Sequence, residues 1–461
     1  MDGEVFGLQN KDNMEKLTQE KIQKGLDVLS AKHDGKLITH LNSCVHCGLC
    51  ANSCVYYNAI PKAKFIPATK VDLVASIYRR YQTFGGKVFP KLVGAKDLND
   101  EMADEMVDLL FGACTMCGRC VSHCSIGVDI SYVIKKGREM LSNMGMVPDT
   151  LQSTINSALE SGNNMSISKT DFVETLEWLE EDLQFEVDDD NAKIYLDQKG
   201  KEILYTLNPR EPKFFPLSIS AMAKVFYAAN ESWTISTKMY DVTNYAYYSG
   251  NYEEAAIITQ RLYDEVENLE AKKCVLAECG HGSRAFRWEG PNYIKKEYPF
   301  DVLTSVELLA KYLKEGRVVV DPEKIQEKVT LHDPCNLARS GGIWKEQRYI
   351  LNTCVKDFVE MTPHGLDNIC CGGGGGQLAM SEYNERRLAI GKLKAEQIRA
   401  TGAKIVATPC HNCVDQLQQL NVTFKLGIKI MTLGEIVADS LILEKKSEEK
   451  PNINKLEIKA L

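Results

Sequence analysis

Apolar and polar positions along the chain follow two regimes. Up to about residue 190 the apolar residues recur at helical spacing. The pattern predicts helices near 71–83 and 97–110 and amphipathic helix through much of 126–190. From residue 192 the period changes. Short β-like segments at 202–206, 274–277, 329–332 and 404–407 alternate with helical stretches such as 252–271 and 381–401. Such alternation predicts an α/β region. No apolar run approaches the roughly 18–20 residues that span a bilayer.

The second regime carries a weak internal repeat. CVLAECGHG at 274–282 resembles IVATPCHNC at 405–413: a strand with a cysteine at its C-terminal end. EILYTLNP at 202–209 likewise resembles VTLHDPCN at 329–336. Two related α/β lobes follow, with the loops after their strands facing one cleft, where sites gather in such sheets.

Composition narrows the class. The chain has 461 residues, 44% hydrophobic and 26% charged, enough for two or three domains and inconsistent with global disorder. A net charge of -8 does not predict a nucleic-acid-binding surface. The start, MDGEVFGLQNKDNMEK, lacks a basic patch followed by an apolar core. No secretory signal is read there, and a cytoplasmic location is expected. The acidic stretch Glu180, Glu181, Asp182 and Asp188–Asp190 reads as a solvated face before it reads as a dock for a basic partner.

Sixteen cysteines change the picture most. Without a secretory signal they point to metal binding or redox chemistry rather than disulfides. Residues 44–54, CVHCGLCANSC, and 114–124, CTMCGRCVSHC, share the spacing C-x2-C-x2-C-x3-C. Three thiolates of such a run wrap a corner of an iron–sulfur cube, and the fourth ligates the other cluster in two-cluster ferredoxins. One cubane [4Fe-4S] cluster is assigned to Cys44, Cys47, Cys50 and Cys124, the other to Cys114, Cys117, Cys120 and Cys54. Gly48 and Gly118 hold the same place in each run. Val55 and Ser125 follow where a Pro often stands, so the turn beyond each motif is expected to differ. A pair of zinc sites is the plainer alternative.

A second group lies in the later lobe: Cys335 in HDPCNLAR, Cys370 and Cys371 in ICCGGGGG, Cys410 and Cys413 in TPCHNC. Neighbouring thiolates do not easily reach separate corners of one cube. They bind together when one bridges irons of a distorted cluster. The run Gly372–Gly376 fails as a nucleotide loop, because Gln377 stands where a glycine should and no Gly-Lys-Ser/Thr follows. Close backbone approach to a cluster by Gly372, Gly373 and Gly374 suits it better. A structural zinc or regulatory dithiol is the alternative.

This pattern resembles the CCG-domain signature of heterodisulfide reductase-related iron–sulfur subunits of the HdrD/DsrK type, with the TmcB type close by. The resemblance covers about residues 30–135 and 195–440. It implies an α+β multidomain chain: a helical two-[4Fe-4S] ferredoxin-like domain followed by an α/β CCG domain of two related lobes. The division expected is an N-terminal extension at 1–30, the ferredoxin-like domain at 31–145, a helical acidic linker at 146–191, the CCG domain at 192–440 and a polar tail at 441–461. It further implies that Cys335, Cys370, Cys371, Cys410 and Cys413 hold a non-cubane [4Fe-4S] cluster that cleaves a disulfide. One CCG motif is present where HdrD-type chains carry two. SGN at 249–251 stands where a second might be, and Cys279 in ECGHG is a buried thiol, an extra active-site thiol or a ligand.

Disulfide reduction consumes two protons, so a titratable donor is expected beside the cluster. His332 and His411 flank presumed ligands and come first; His281 comes third. Tuning of the cluster by hydrogen bonds is the competing role. His46 and His123 read as surface or tuning residues. Arg339 is expected to hold an anionic substrate, tune the cluster or form a plain salt bridge. Cys274 and Cys354 read as buried thiols.

The activity implied is disulfide reduction. Electrons would arrive from a membrane cytochrome b-type subunit within a larger redox complex. The substrate would be a heterodisulfide or the disulfide or trisulfide of a small sulfur-carrier protein of DsrC type. The location implied is cytoplasmic, peripheral on the inner face of the membrane, with the tail as a candidate dock. The iron–sulfur subunit of a glycolate/lactate-type flavin oxidoreductase and a non-catalytic electron relay are the alternatives.

Overall fold

The computed structural model describes residues 17–30 and 34–443. The C-terminal docking tail and most of the N-terminal extension lie outside the described residues. The described part of the first 190 residues is helical. The helices Pro67–Gln82 and Asp100–Leu110 occupy the segment between the two cysteine runs. Asn99 caps the second by accepting from the Met102 amide at 2.9 Å. Ile130–Asn143 follows, capped by Asp129, and buries Val133, Ile134, Met140 and Leu141.

The helices Asp149–Ser161 and Lys169–Val187 fill the expected linker. The second packs Phe172, Leu176, Leu179 and Leu183 into one apolar core with the first lobe's sheet. Two of its acidic residues are tied to this chain: Glu180 pairs with Lys193 at 2.8 Å, and Asp182 accepts from Ser220 at 2.8 Å.

Two four-stranded parallel sheets follow. The first contains β1 (Ile203–Tyr205), β2 (Trp233–Thr234), β3 (Lys273–Leu276) and β4 (Asp301–Thr304), in the order β2-β1-β3-β4. The second contains β5 (Val329–Leu331), β6 (Phe358–Val359), β7 (Ile405–Ala407) and β8 (Lys429–Met431), in the order β6-β5-β7-β8. The two orders are the same permutation, so the weak repeat marks β1 with β5 and β3 with β7. The lobes share a core, with Leu217–Ala228 of the first against Leu433–Ser440 of the second.

The helix expected over 381–401 is divided. A short turn at Ser381–Tyr383 leads into Asn384–Ile390 and then Lys392–Thr401. The junction is Gly391, where a Cβ would stand 2.2 Å from Leu420 Cδ2. A side chain there would force Leu420 to move.

Candidate iron–sulfur centres and the thiol chain between them

The two C-x2-C-x2-C-x3-C runs fold alike. His46 and Gly48 of the first have φ of 55° and 82°; Met116 and Gly118 of the second have 50° and 73°. These left-handed turns curl each loop inward and aim amides at sulfur: the Met116 N–H points at Cys114 Sγ, 3.4 Å away. Val55 begins a further helix, Val55–Ala59, where a Pro is common. The helices Leu49–Ser53 and Arg119–Ser122 lie side by side, and Arg119 donates to the Ser53 carbonyl at 3.3 Å.

Two sulfur groups result. Cys50 is buried near Cys44 and Cys47, whose charges help push its thiol up behind the larger effect of burial. Cys124 accepts from the Val128 amide at 3.3 Å. Cys54, from the first run, lies among Cys114, Cys117 and Cys120 of the second, all within electrostatic reach. Cys54 thus lies with the thiols of the other run, where an exchanged fourth ligand would have to stand.

The second group continues into the CCG motif. Cys117 lies beside Cys335 and Cys370, and these neighbours pull its thiol well below the usual range. Cys370 also contacts Cys371, and Cys371 Sγ lies 3.7 Å from Cys413 Sγ. Cys413 contacts Cys410. Six sulfurs thus form an unbroken chain from Cys117 to Cys410, and none of these residues is in a disulfide. Along it, Cys117, Cys371 and Cys410 are drawn down by their neighbours, while Cys370 and Cys413 are pushed up. Packed soft donors of this kind, buried together, suit iron–sulfur clusters, which draw several thiolates to one centre.

The glycine run serves two purposes. The Gly372 amide points at Cys370 Sγ at 3.4 Å, and Gly373 packs against Gln416 and the Asn412 carbonyl. Gly374 and Gly375 lie against the backbone of Thr115, where a Cβ would sit 2.8 Å from its carbonyl oxygen. The loop after Cys371 therefore touches the ferredoxin-like loop directly. In the first lobe, Gly250 of the SGN segment makes the matching close approach, to the Glu139 backbone, and no cysteine stands there.

The histidines divide. His332 is fully buried, and a ring nitrogen of it and the sulfurs of Cys371 and Cys413 lie within 4.8 Å of one another. Its ring nitrogens have no hydrogen bond from oxygen or nitrogen groups. His411 turns elsewhere: Nε2 pairs with Ser218 Oγ at 3.0 Å and Nδ1 lies 3.3 Å from the Glu278 carbonyl. Burial pushes it down to about 3, so it is neutral. His281 sits beside Cys410, and its Nδ1 lies 2.7 Å from Asn412 Nδ2. His46 pairs with Asp72 at 2.8 Å and His123 with Asp367 at 2.6 Å, both at the surface.

Arg339 donates to the carbonyls of Cys117, at 2.7 Å, and Leu366, at 2.8 Å. It thereby spans the two domains, within reach of Cys335, Cys117 and Cys370. Cys279 is the first-lobe counterpart of Cys410. It is buried near Cys410, with the Gly282 amide at 3.3 Å, Asn208 Nδ2 at 3.4 Å and Thr243 Oγ1 at 3.6 Å. Cys274 and Cys354 are buried in the cores of the two lobes.

Several buried cations escaped the sequence reading, and three of them lie at the sulfur groups or at the domain junction. Lys70 bonds the Ala113 carbonyl and lies near Cys54 and Cys120. Lys394 lies near Cys371, Cys335 and Cys370, and burial pushes it down to about 8. Arg138 donates to the carbonyls of Leu110, Cys114, Tyr248 and Gly375 at 2.7–2.9 Å. Lys70 and Lys394 sit on otherwise ordinary helical patterns, so nothing in their spacing marks them. Buried positive charge beside a group of thiolates offsets the cost of burying the negative charge.

Fold and site together define an iron–sulfur protein with two cubane-type cysteine motifs ahead of a cysteine-rich α/β domain. The 4Fe-4S dicluster domain profile matches residues 40–128, and the CCG cysteine-rich domain profile matches residues 329–418. The chain is similar to the Hdr-like menaquinol oxidoreductase iron–sulfur subunit 2 of Archaeoglobus fulgidus, at 26% identity over 90% of this chain and 82% of that one. Its counterpart in Archaeoglobus profundus is 27% identical over 91% and 82%. One subunit of the dihydromethanophenazine:CoB–CoM heterodisulfide reductase of Methanosarcina barkeri is 26% identical over 88% and 95%. By these matches the chain is similar to iron–sulfur subunits of the HdrD/DsrK type, and its cofactors are [4Fe-4S] clusters. Among the described residues no helix is long and apolar enough to cross a membrane.

Proposed function

We propose that the chain carries electrons from a membrane-bound, quinol-linked partner to a disulfide, which it reduces at the CCG domain. The balance is one S–S bond broken, two electrons taken up and two protons added, giving two thiols. In this reading Cys44, Cys47, Cys50 and Cys124 hold the first cluster, where electrons arrive. Cys114, Cys117, Cys120 and Cys54 hold the second. Cys335, Cys370, Cys371, Cys410 and Cys413 hold a non-cubane cluster. The clusters supply one-electron steps at tuned potentials when bound.

The observation that carries the reading is the contact of Cys117 with Cys335 and Cys370. It leaves no protein gap between the second ferredoxin motif and the CCG motif. Arg339 and Arg138 clamp that junction, and Gly374 and Gly375 bring the loops together. Lys394 and Lys70 offset the buried thiolate charge. His332 and His281, each beside CCG sulfurs, exclude water and hold hydrogen-bonding groups where the products leave. The substrate class is a heterodisulfide or the disulfide of a small sulfur-carrier protein. The donor is a menaquinol- or phenazine-linked membrane partner, by analogy with the names of the relatives. The chain would work on the inner face of the cytoplasmic membrane.

The test is electron paramagnetic resonance on anaerobically purified protein, oxidised with and without candidate thiols, beside iron analysis. About twelve irons per chain and a signal that appears only with thiol are expected. About eight irons and no thiol-dependent signal would leave a two-cluster relay and sink the reductase reading.

A further inference from the structure

The segment between the two cysteine runs carries a feature that electron transfer does not require. The helix Pro67–Gln82 starts at the first sulfur group, where the Ala68 amide bonds Cys50. Its sixteen residues carry the chain about 24 Å away. At the far end the short helix Phe84–Val88 and the turn after it expose Phe84 (80%), Val88, Phe89, Leu92 (85%) and Val93. Scattered exposed apolar residues are ordinary; five large ones clustered within residues 84–93 are not.

The tip is held in shape. The Gly86 amide donates to Thr83 Oγ1 at 3.1 Å, and Arg80 Nη1 donates to the Gly86 carbonyl at 3.3 Å. Arg80 Nε reaches Asp97 at 2.6 Å, and the Lys96 amide returns to the Ser76 carbonyl at 3.3 Å. At Gly86 a Cβ would fall 1.8 Å from the Arg79 carbonyl oxygen, so the helices meet backbone to backbone. The apolar side chains face outward because the backbone beneath them is fixed.

Charge selects the occupant. From residue 73 to residue 96 the sequence has Arg79, Arg80, Lys87, Lys91 and Lys96 and no acidic residue, in a chain of net charge -8. Lys87, Lys91 and Lys96 are exposed. Aromatic and aliphatic side chains alternating with lysines on one protruding tip fit a bilayer boundary, with the rings at the acyl border and the ammonium groups at phosphate. We propose that residues 84–93 insert into the surface of a membrane containing anionic lipid and set the first cluster facing a membrane-bound electron donor. This rests on the membrane location proposed for the chain, not on the disulfide chemistry.

The test is flotation of the cluster-loaded protein with vesicles of equal parts phosphatidylglycerol and phosphatidylcholine, and with phosphatidylcholine alone. The protein is expected to float with the anionic vesicles and to be released by salt. Phe84→Ser/Phe89→Ser/Leu92→Ser should lower binding at least about tenfold. Lys87→Gln/Lys91→Gln should lower it about twentyfold at low salt. Both variants should keep the visible absorption of the clusters, since none of these side chains touches a cysteine motif. If the unaltered protein binds neither vesicle, the tip proposal falls, and a membrane location would then have to come from the membrane-bound partner alone. If it binds and both variants bind equally well, only the tip proposal falls. Neither outcome touches the thiol-dependent resonance that tests the reductase reading.

Discussion

Arg138 donates from Nη1 to the carbonyl oxygen of Gly375 at 2.8 Å, joining a helix of the ferredoxin-like domain to the glycine run after the CCG cysteines. The same guanidinium reaches Cys114 at 2.9 Å and Tyr248 at 2.7 Å, in the second ferredoxin motif and the first lobe. One fully buried side chain therefore fixes the domain and both lobes to each other. Lysine cannot reproduce the planar fork and would leave buried carbonyls unpaired. Arg138→Lys should lower stability by about 2–4 kcal/mol in denaturant unfolding. An unchanged midpoint would show that the junction does not depend on it.

Cys117 should matter to two centres, because it contacts both the second ferredoxin group and Cys335 and Cys370. Cys117→Ser is expected to reduce iron from about twelve to about eight per chain and to broaden or abolish the thiol-dependent signal. Cys274→Ser is the matched control, since Cys274 is buried in β3 away from these sulfurs. If both variants keep full iron, the ligand assignment at Cys117 is wrong.

Gly375 combines a left-handed backbone, φ 63°, with a close approach to Thr115, whose carbonyl carbon would lie 2.7 Å from an added Cβ. Gly316 has φ 68° and nothing within 4 Å of that position. Gly316→Ala should cost about 1 kcal/mol for its backbone alone. Gly375→Ala should cost about 2–4 kcal/mol and loosen the domain junction. The difference between the two, read by chemical unfolding, isolates the close contact.

Asp241 is buried beneath the first lobe and accepts from the amides of Asn164, at 2.8 Å, and Thr243, at 2.6 Å. Burial outweighs those bonds and pushes its carboxyl up to about 7. A raised acid binds its proton more tightly folded than unfolded. Its stabilising contribution is thus complete below the unfolded value near 4 and is lost as pH rises to about 7. Between about pH 5.5 and 7 the protein should lose about 2 kcal/mol that Asp241→Asn does not lose. Above about pH 8 the two curves should run parallel. Thermal unfolding across that range checks it, and parallel curves throughout would show that Asp241 is ionised in the folded protein.

Much of this architecture was legible in the sequence because its signals are local. The doubled cysteine spacing fixes two loops of one shape, and His46 with Met116 and Gly48 with Gly118 repeat the same backbone. The repeat around Cys279 and Cys410 marks the ends of β3 and β7, since a strand and the turn after it form a short contiguous unit. The expected helix over 381–401 is divided at Gly391, which packs against Leu420, a neighbour remote in sequence.

What the sequence determined by itself was the inventory: which thiols exist, in what local spacing, and that two α/β lobes follow a helical ferredoxin-like region. Only the tertiary structure decided that Cys117 meets Cys335 and Cys370, that His411 turns to Ser218 while His332 faces Cys371, and that Lys70, Lys394 and Arg138 lie buried beside the sulfurs. Ligand spacing is set within one turn of chain, where few conformations close a loop. Which loops meet, and which charges follow them inside, depends on packing between segments far apart along the chain, and no local pattern records that.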